Sequence, residues 1–168
     1  MIGHFHIPGD ATRREYAVYV LVARERPSGN ISMYVGKTGD NREGCNPVIS
    51  RAGNHFSFNK VHSQMRNHLG MAKPEDFDFD YFYATFGCYT HPEQDRTGVD
   101  VINEMERQLN LMVQEVFPDL KLLNPYEGRT PLRKWQRDER EAIVTEQRRG
   151  VLSELIQQVR SFLGASSK

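Results

Sequence analysis

The sequence predicts an α/β fold, in which a small, mainly antiparallel three-stranded sheet is flanked by helices and followed by a helical C-terminal extension. Three observations carry this prediction. Two β-branched and aromatic runs flank a turn near the N-terminus, an alternating aromatic run lies near residue 80, and apolar residues recur at helical spacing further on. At 168 residues the chain is long enough for one domain with its own core.

The first two strands are expected to form a hairpin. Residues 16–24 are mostly aliphatic, β-branched or aromatic, which is typical of a buried strand. Residues 27–30 are Pro-Ser-Gly-Asn, a combination that favours a turn. Residues 32–36 are therefore predicted to return as the second strand.

Two helices and the third strand are predicted next. Residues 38–47, rich in Gly, Asp and Asn, indicate a loop, and Pro47 suits the first turn of a helix over residues 48–56. Asn59 can cap a further helix that ends near residue 69. Residues 77–86 begin with a clean period of two and become wholly aromatic, which predicts a strand.

The remainder of the chain is predicted to be helical. Residues 99–117 carry apolar side chains at helical spacing and are closed by Pro118. Two further helices are expected over residues 131–149 and 151–163, with a break at Gly150. The predicted organisation is a flexible N-terminal arm (1–15), a compact domain (16–124) and a helical extension (125–168).

Composition indicates a polar protein with no membrane partner. Mean hydropathy is −0.64, and no apolar run approaches the roughly 20 residues that a membrane-spanning helix needs. The N-terminal residues lack the pattern of a secretory signal. Cys45 and Cys88 fit no metal-ligand spacing and are expected to be reduced thiols. Together these features predict a cytoplasmic location.

Formal net charge is zero, but the charges are unevenly distributed. Residues 13–73 hold ten Lys or Arg against four Asp or Glu, residues 74–120 hold two against eleven, and residues 121–168 hold ten against six. Local basic patches can therefore meet a phosphate backbone. An ordinary salt-bridged surface is an equally good interpretation of the basic tail. The predicted nucleic-acid contacts are Arg42, Lys60, Arg66, Arg133, Lys134 and Arg137.

A set of phenols and cations indicates phosphodiester chemistry. Tyr19 and Tyr34 lie in the two predicted hairpin strands, and Lys37 follows the second. Arg51 and His55 are one helical turn apart. Tyrosine, with a pKa of about 10, is a poor base unless cations lower that pKa. Lys37 and Arg51 would supply the cations, and His55 could accept a proton near neutral pH.

A carboxylate for a metal ion is sought on the helix predicted over residues 99–117. At about 100° per residue, Glu106 lies roughly 75° from the centre of the apolar stripe and Glu104 roughly 125° from it. Glu106 is therefore expected at the edge of the buried face, and Glu104 is expected to face solvent. One carboxylate can hold a single Mg²⁺, with phosphate and water completing its shell.

Taken in order, these residues resemble the GIY-YIG nuclease family over roughly residues 16–124. Ala17 stands where the first motif of the family has glycine, and the spacings between several motifs are longer than in compact members. The histidine matches one that some restriction-type members carry. The matching positions are Ala17-Val18-Tyr19, Tyr34-Val35-Gly36, Arg51, His55, Glu106 with Leu109, and Pro118 with Asn124.

The resemblance implies a Mg²⁺-dependent endonuclease that cuts DNA, with Mn²⁺ as a substitute metal. Tyr19, Tyr34 and His55 would activate water, Lys37 and Arg51 would stabilise charge, and Glu106 would bind the metal. Cutting both strands of a palindrome would favour a homodimer. Two alternatives stay open: a catalytically inactive nucleic-acid or protein binding module on the same fold, and a nuclease or toxin directed at RNA.

Overall fold

The computed structural model confirms the α/β class, with helices on both faces of a mixed sheet. It describes residues 2–39, 46–59, 61–70, 73–91, 96–128 and 133–165. The strands are β1 (Glu15–Glu25), β2 (Ile31–Thr38), β3 (Phe77–Cys88) and β4 (Lys121–Leu122). The helices are α1 (Val48–His55), α2 (Gln64–Leu69), α3 (Thr97–Val116), α4 (Lys134–Ile143) and α5 (Glu146–Ala165).

The sheet contains four strands in the order β3-β1-β2-β4, not the three that were predicted. The three long strands are antiparallel, with β1 in the centre. The fourth strand pairs parallel to β2, Lys121 beside Ser32 and Leu122 beside Met33. Two residues are too few to show a periodic pattern, so this strand could not be predicted from the sequence.

The two faces of the sheet bury different layers. On one face, Val18, Val20 and Val22 of β1 pack in the main core with apolar side chains of α3. Helix α5 adds Leu152, Leu155, Ile156 and Val159 to this same core. On the other face, Tyr19, Leu21, Ala23 and Tyr34 pack with Met65 of α2. Because side chains alternate along a strand, β1 therefore supplies the valines to one layer and Tyr19 to the other.

The predicted helix break at Gly150 is wrong, because Gly150 lies inside α5. The chain instead leaves helical geometry between Ile143 and Glu146. The Thr145 side-chain oxygen accepts a hydrogen bond from the backbone of Arg148 at 3.3 Å, the pattern of an N-cap. A threonine cap thus begins the last helix, and the helix interior tolerates the glycine.

Three further observations concern the chain's surface and ends. Before β1, residues Gly9–Thr12 form a single helical turn in which Ala11 is buried. Cys88 is an exposed free thiol, and Cys45 lies outside the described residues. Among the residues that the structure describes, no helix combines the length and apolar character needed to cross a bilayer.

Candidate active site

Tyr19 is the centre of a buried polar cluster on the α1 face of the sheet. Its hydroxyl lies 2.7 Å from Nε2 of His55 and 3.3 Å from Nε of Arg51. Tyr19 and His55 are both fully buried, whereas Arg51 is half-buried. The structure therefore brings together three of the predicted site residues from one strand and one helix.

Helix α1 produces this arrangement through its spacing. Arg51 and His55 are four residues apart, so both side chains leave the same face of the helix. That face lies against the sheet where Tyr19 projects from β1. The helix begins directly after Pro47, whose carbonyl accepts hydrogen bonds from Ser50 and Arg51. The spacing of Pro47, Arg51 and His55 therefore places the guanidinium and the imidazole against the phenol of Tyr19.

The donors in the cluster follow from its chemistry. Arg51 Nε can only donate, so it donates to the oxygen of Tyr19. The Tyr19 hydroxyl proton is then directed to Nε2 of His55, which accepts it as a neutral imidazole. His55 Nδ1 carries the ring proton in this tautomer; it is buried and has no hydrogen-bond partner among the described residues.

Burial dominates the proton affinities of these groups. It raises the pKa of Tyr19 well above the usual value and outweighs the nearby Arg51 guanidinium, which acts in the opposite direction. Burial, helped by the positive charge of Arg51, lowers the pKa of His55 to about 3. The expectation that cations lower the tyrosine pKa is therefore wrong in net effect. His55 is also not a group that titrates near neutral pH.

Tyr34 completes the aromatic part of the cluster. Its ring centroid lies 6.4 Å from that of Tyr19 and 5.1 Å from that of His55. The His68 ring of α2 also lies near Tyr34, with the ring centroids 5.4 Å apart, and burial lowers the pKa of His68 as well. Tyr81 of β3 stacks on Tyr19 at 4.5 Å. Tyr81 is not among the predicted site residues, because an alternating aromatic strand does not reveal which ring meets the site.

Lys37 and Glu106 form a second group on the opposite face of the sheet. Lys37 pairs with Val18 in the β1–β2 ladder, so its side chain shares the α3 face. There its Nζ forms an ion pair with Oε2 of Glu106. Both side chains remain partly exposed, at 18% and 28%. The structure thus separates the predicted site into two groups, one on each face of the sheet.

Gly36 lies between the two groups. It pairs with Tyr19 across the β1–β2 ladder and precedes Lys37. A methyl group built on Gly36 would meet the hydroxyl and ring carbons of Tyr19 at less than 3.0 Å. Only a residue without a side chain lets the phenol lie across the strand at this point.

The expectation that Glu104 faces solvent is wrong. Glu104 is 4% exposed, and its carboxylate accepts hydrogen bonds from Nε of Arg107 at 2.9 Å and from Gln108 at 2.9 Å. Arg140 of α4 approaches it at 3.9 Å. The apolar stripe marks only the face of α3 that meets the sheet. A second face is covered by the C-terminal extension through polar contacts, which periodicity cannot reveal.

Asn124 fixes the segment after β4 to the sheet. Its side chain accepts a hydrogen bond from the backbone N–H of Val35 at 3.0 Å and donates one to the Val35 carbonyl at 2.6 Å. The buried Asn110 of α3 donates to the Asn124 carbonyl at 2.8 Å and accepts from the backbone of Tyr126 at 2.9 Å. Asn110 gave no signal in the sequence, because a lone asparagine in a helix is usually an exposed residue.

A cavity of about 770 Å³ opens beside the Lys37–Glu106 pair, between α3, the segment after β4, and α4. Its walls mix charged, amide and aromatic groups. The cavity could not be predicted from the sequence, because it depends on where α4 packs. Its lining includes Lys37, Glu106, Arg107, Tyr126, Trp135 and Arg140.

Glu106 is the predicted ligand of the metal ion. Its carboxylate is partly exposed, lines the cavity and is already held by a cation, which fits a site for Mg²⁺ that uses one protein carboxylate and substrate oxygens. Within the described ranges, no group of three or more His, Cys, Asp or Glu side chains is placed to hold a metal ion. Binding of a metal ion to Glu106 therefore requires that Lys37 release the Glu106 carboxylate.

The predicted nucleic-acid contacts have different outcomes. Arg42 and Lys60 lie outside the described residues. Arg66 donates to the Phe56 carbonyl at 2.8 Å and pairs with Glu75 at 3.3 Å, which gives it a structural contact. The remaining three are exposed at or near the start of α4: Arg133, Lys134 and Arg137.

Comparison of the chain with protein-family models, curated proteins and solved structures found no significant match.

Proposed function

We propose that this protein is a Mg²⁺-dependent endonuclease of the GIY-YIG type that hydrolyses phosphodiester bonds in DNA. The observation that carries the proposal is the position of the Tyr19 hydroxyl between Nε of Arg51 and Nε2 of His55. A buried phenol between a cation and a neutral imidazole has a direct chemical use, since it can pass a proton to the imidazole while the cation holds an anion.

Arg51 is the member of the cluster that would bind the scissile phosphate. It is half-buried, so part of its guanidinium is open to a ligand while Nε donates to Tyr19. A guanidinium offers several donors in a rigid fork, which matches phosphate oxygens. Its positive charge would neutralise the charge that develops on the phosphoryl group during attack by water.

Tyr19 and His55 would take the proton of the attacking water in sequence. The high pKa of Tyr19 excludes a standing phenolate at neutral pH, so the phenol must lose its proton as it gains one. Neutral His55 is hydrogen-bonded to that proton at 2.7 Å and can receive it. Because the pKa of His55 is also low, the imidazole would hold the proton only transiently and return it through the Tyr19 hydroxyl, and the oxygen released when the P–O bond breaks would be its final acceptor.

Lys37 and Glu106 would act from the opposite face of the sheet. Mg²⁺ bound to Glu106 would neutralise charge on the phosphoryl and leaving oxygens. Lys37, released from Glu106 when the metal binds, would be available for a phosphate oxygen. The substrate would enter at Gly36–Lys37, because the Tyr19 phenol lies across Gly36 on one face of the sheet and Lys37 pairs with Glu106 on the other.

The test is cleavage of supercoiled plasmid DNA in Mg²⁺ and in EDTA. Wild-type protein should nick or linearise the plasmid only in Mg²⁺, and Arg51→Ala and Glu106→Gln should each lower the rate at least roughly a hundredfold. Arg149→Ala and Glu115→Gln remove exposed charges of the same kinds elsewhere and should cut at the wild-type rate. Either site variant cutting at the wild-type rate would refute the assignment.

The same experiment separates the alternative functions. A chain that shifts DNA in a gel and cuts neither DNA nor RNA in Mg²⁺ or Mn²⁺ is a binding module. A chain that degrades single-stranded RNA and leaves plasmid and duplex DNA intact is an RNA nuclease. Either result would overturn the proposal.

A further inference from the structure

The cavity beside Glu106 holds two exposed aromatic rings, Tyr126 and Trp135. Tyr126 is 40% exposed and Trp135 is 53% exposed. Tyr126 is not a loose surface residue, because its backbone donates to the buried Asn110 at 2.9 Å. The guanidinium of Arg107 also lies over its ring, 5.8 Å from the centroid. A large aromatic surface is therefore held open to solvent.

The charges that line the cavity leave one carboxylate in excess of the cations. Three cationic side chains and four carboxylates line it. Glu104 is held by Arg107 and approached by Arg140, and Glu106 is held by Lys37. Such a lining gives no net attraction for a free phosphate or another small anion. A neutral, planar group with hydrogen-bonding edges fits it better.

We infer that this cavity binds an unpaired nucleobase of the DNA strand, next to the phosphate that reaches Glu106. Base–aromatic stacking requires exposed aromatic surface, which both Trp135 and Tyr126 have, although Arg107 lies over the Tyr126 ring. The cavity, about 770 Å³, is within the usual range for small-molecule sites and is large enough for one nucleotide. Amide groups of Asn103 and Gln136 in the lining can meet the polar edge of a base.

The position of the cavity links it to cleavage. Lys37 and Glu106 line it and also form the proposed metal and phosphate group. A base seated there has its own phosphates at the cavity mouth, close to these two side chains. The preferred substrate is therefore DNA with an unpaired nucleotide beside the cut: a single strand, a flap or an extruded base. A base within a duplex is not free to stack on a protein ring. This inference rests on the proposed function for the identity of the ligand.

Trp135 is the only tryptophan in the chain, so tryptophan fluorescence reports on the cavity that Trp135 lines. In EDTA, where binding occurs without cleavage, a single-stranded DNA oligonucleotide should quench its fluorescence. A duplex with one unpaired nucleotide should do the same. A fully paired duplex of the same sequence should leave the fluorescence nearly unchanged. Equal quenching by the fully paired duplex would overturn the inference.

Affinity variants test the stacking itself, with a dye-labelled oligonucleotide and anisotropy as the measurement. Tyr126→Ala and Trp135→Ala should each weaken binding of the single strand about 5- to 100-fold, and Trp135→Phe should retain most of it. Both rings are exposed, so their removal leaves the core intact. Phe5→Ala removes an exposed aromatic ring outside the cavity lining and should not change the affinity. Wild-type affinity in both alanine variants would overturn the inference.

Plasmid cleavage in Mg²⁺ is measured in parallel to separate the two proposals. Cleavage that depends on Glu106 but is indifferent to Tyr126 and Trp135 would refute the base site alone. Quenching and stacking losses without any cleavage by the wild type would refute the nuclease and leave a binding site for unpaired bases. Quenching by RNA alone would overturn DNA as the ligand.

Discussion

The Tyr19 ring lies directly across Gly36, and the hydroxyl occupies the space in which any other residue would place its β-carbon. The two residues are paired neighbours in the β1–β2 ladder. Gly36 is therefore the steric partner of Tyr19. It is also the position at which the two proposed halves of the site approach each other.

Gly36→Ala should displace the phenol and disrupt the cluster. The added methyl group would lie less than 3.0 Å from three atoms of a ring that is packed on Tyr81 and has no room to retreat. We expect a loss of about 1–3 kcal/mol in the free energy of unfolding, measured in urea, together with loss of plasmid cleavage. Gly53→Ala is the control, because nothing lies within 4 Å of the added carbon and alanine favours the helix. An equally stable, active Gly36→Ala protein would contradict the steric argument.

Tyr19→Phe should separate the polar role of the phenol from its packing. It leaves the ring in place and removes the partner of His55 Nε2 and Arg51. We expect cleavage to slow by about 10²- to 10⁴-fold. The free energy of unfolding should fall by about 1–2 kcal/mol, because a buried imidazole nitrogen loses its hydrogen bond. Tyr89→Phe provides the comparison, since the Tyr89 hydroxyl has no hydrogen-bond partner among the described residues. A Tyr19→Phe protein that cuts as fast as Tyr89→Phe would exclude the relay.

Stability should fall as the solution becomes acidic, because the native state holds His55 neutral. Its pKa is lowered from 6.5 to about 3, so the unfolded chain binds a proton at this residue throughout the interval and the native state does not. The free energy of unfolding should therefore decrease from pH 6.5 towards pH 3, with a slope from this residue approaching about 1.4 kcal/mol per pH unit.

The measurement is urea unfolding of wild type and His55→Gln at several pH values. The difference in stability between the two proteins should shrink steadily below pH 6.5. His68→Gln controls for the neighbouring exposed histidine, whose pKa is lowered in the same direction. Parallel wild-type and His55→Gln profiles would show that His55 titrates normally in the native state.

Lys37→Met should increase the affinity of the DNA-free protein for divalent metal. The substitution removes the cation that holds Glu106 and leaves a side chain of similar length. We expect Mn²⁺ or Mg²⁺ to bind about tenfold more tightly by calorimetry, since a nearby like charge is worth about 1–2 kcal/mol at a partly exposed site. Adding Glu106→Gln should abolish the gain. Lys121→Met, an exposed lysine of β4, should have no effect. Unchanged affinity in Lys37→Met would exclude competition between lysine and metal.

The long antiparallel strands and the positions of Arg51 and His55 could be predicted because they depend on local spacing. A β-branched and aromatic run defines the strand over residues 16–24, and alternation defines the start of the strand over residues 77–86. A four-residue separation places two side chains on one helix face. Tyr19 and Tyr34 fall on the same face of the sheet because both are in the second buried layer of the hairpin.

The remaining features depend on contacts between segments distant in the chain. Burial of Glu104 requires Arg140 of α4, and the hydrogen bonds of Asn124 close on Val35, 89 residues earlier. The low pKa of His55 follows from its burial and from the nearby charge of Arg51, and the residue type alone does not reveal that burial. Placement of Lys37 on the face opposite Tyr19 follows from the ladder register, in which Lys37 pairs with Val18.

The packing of helix α5 limits which segments of this protein can be exchanged in a chimera. Leu152, Leu155, Ile156 and Val159 occupy the same core as the valines of β1. A chimera joined at residue 124 would discard these side chains and uncover the α3 layer on which Glu106 is mounted. A chimera that replaces part of the C-terminal extension must therefore keep α5 together with the sheet.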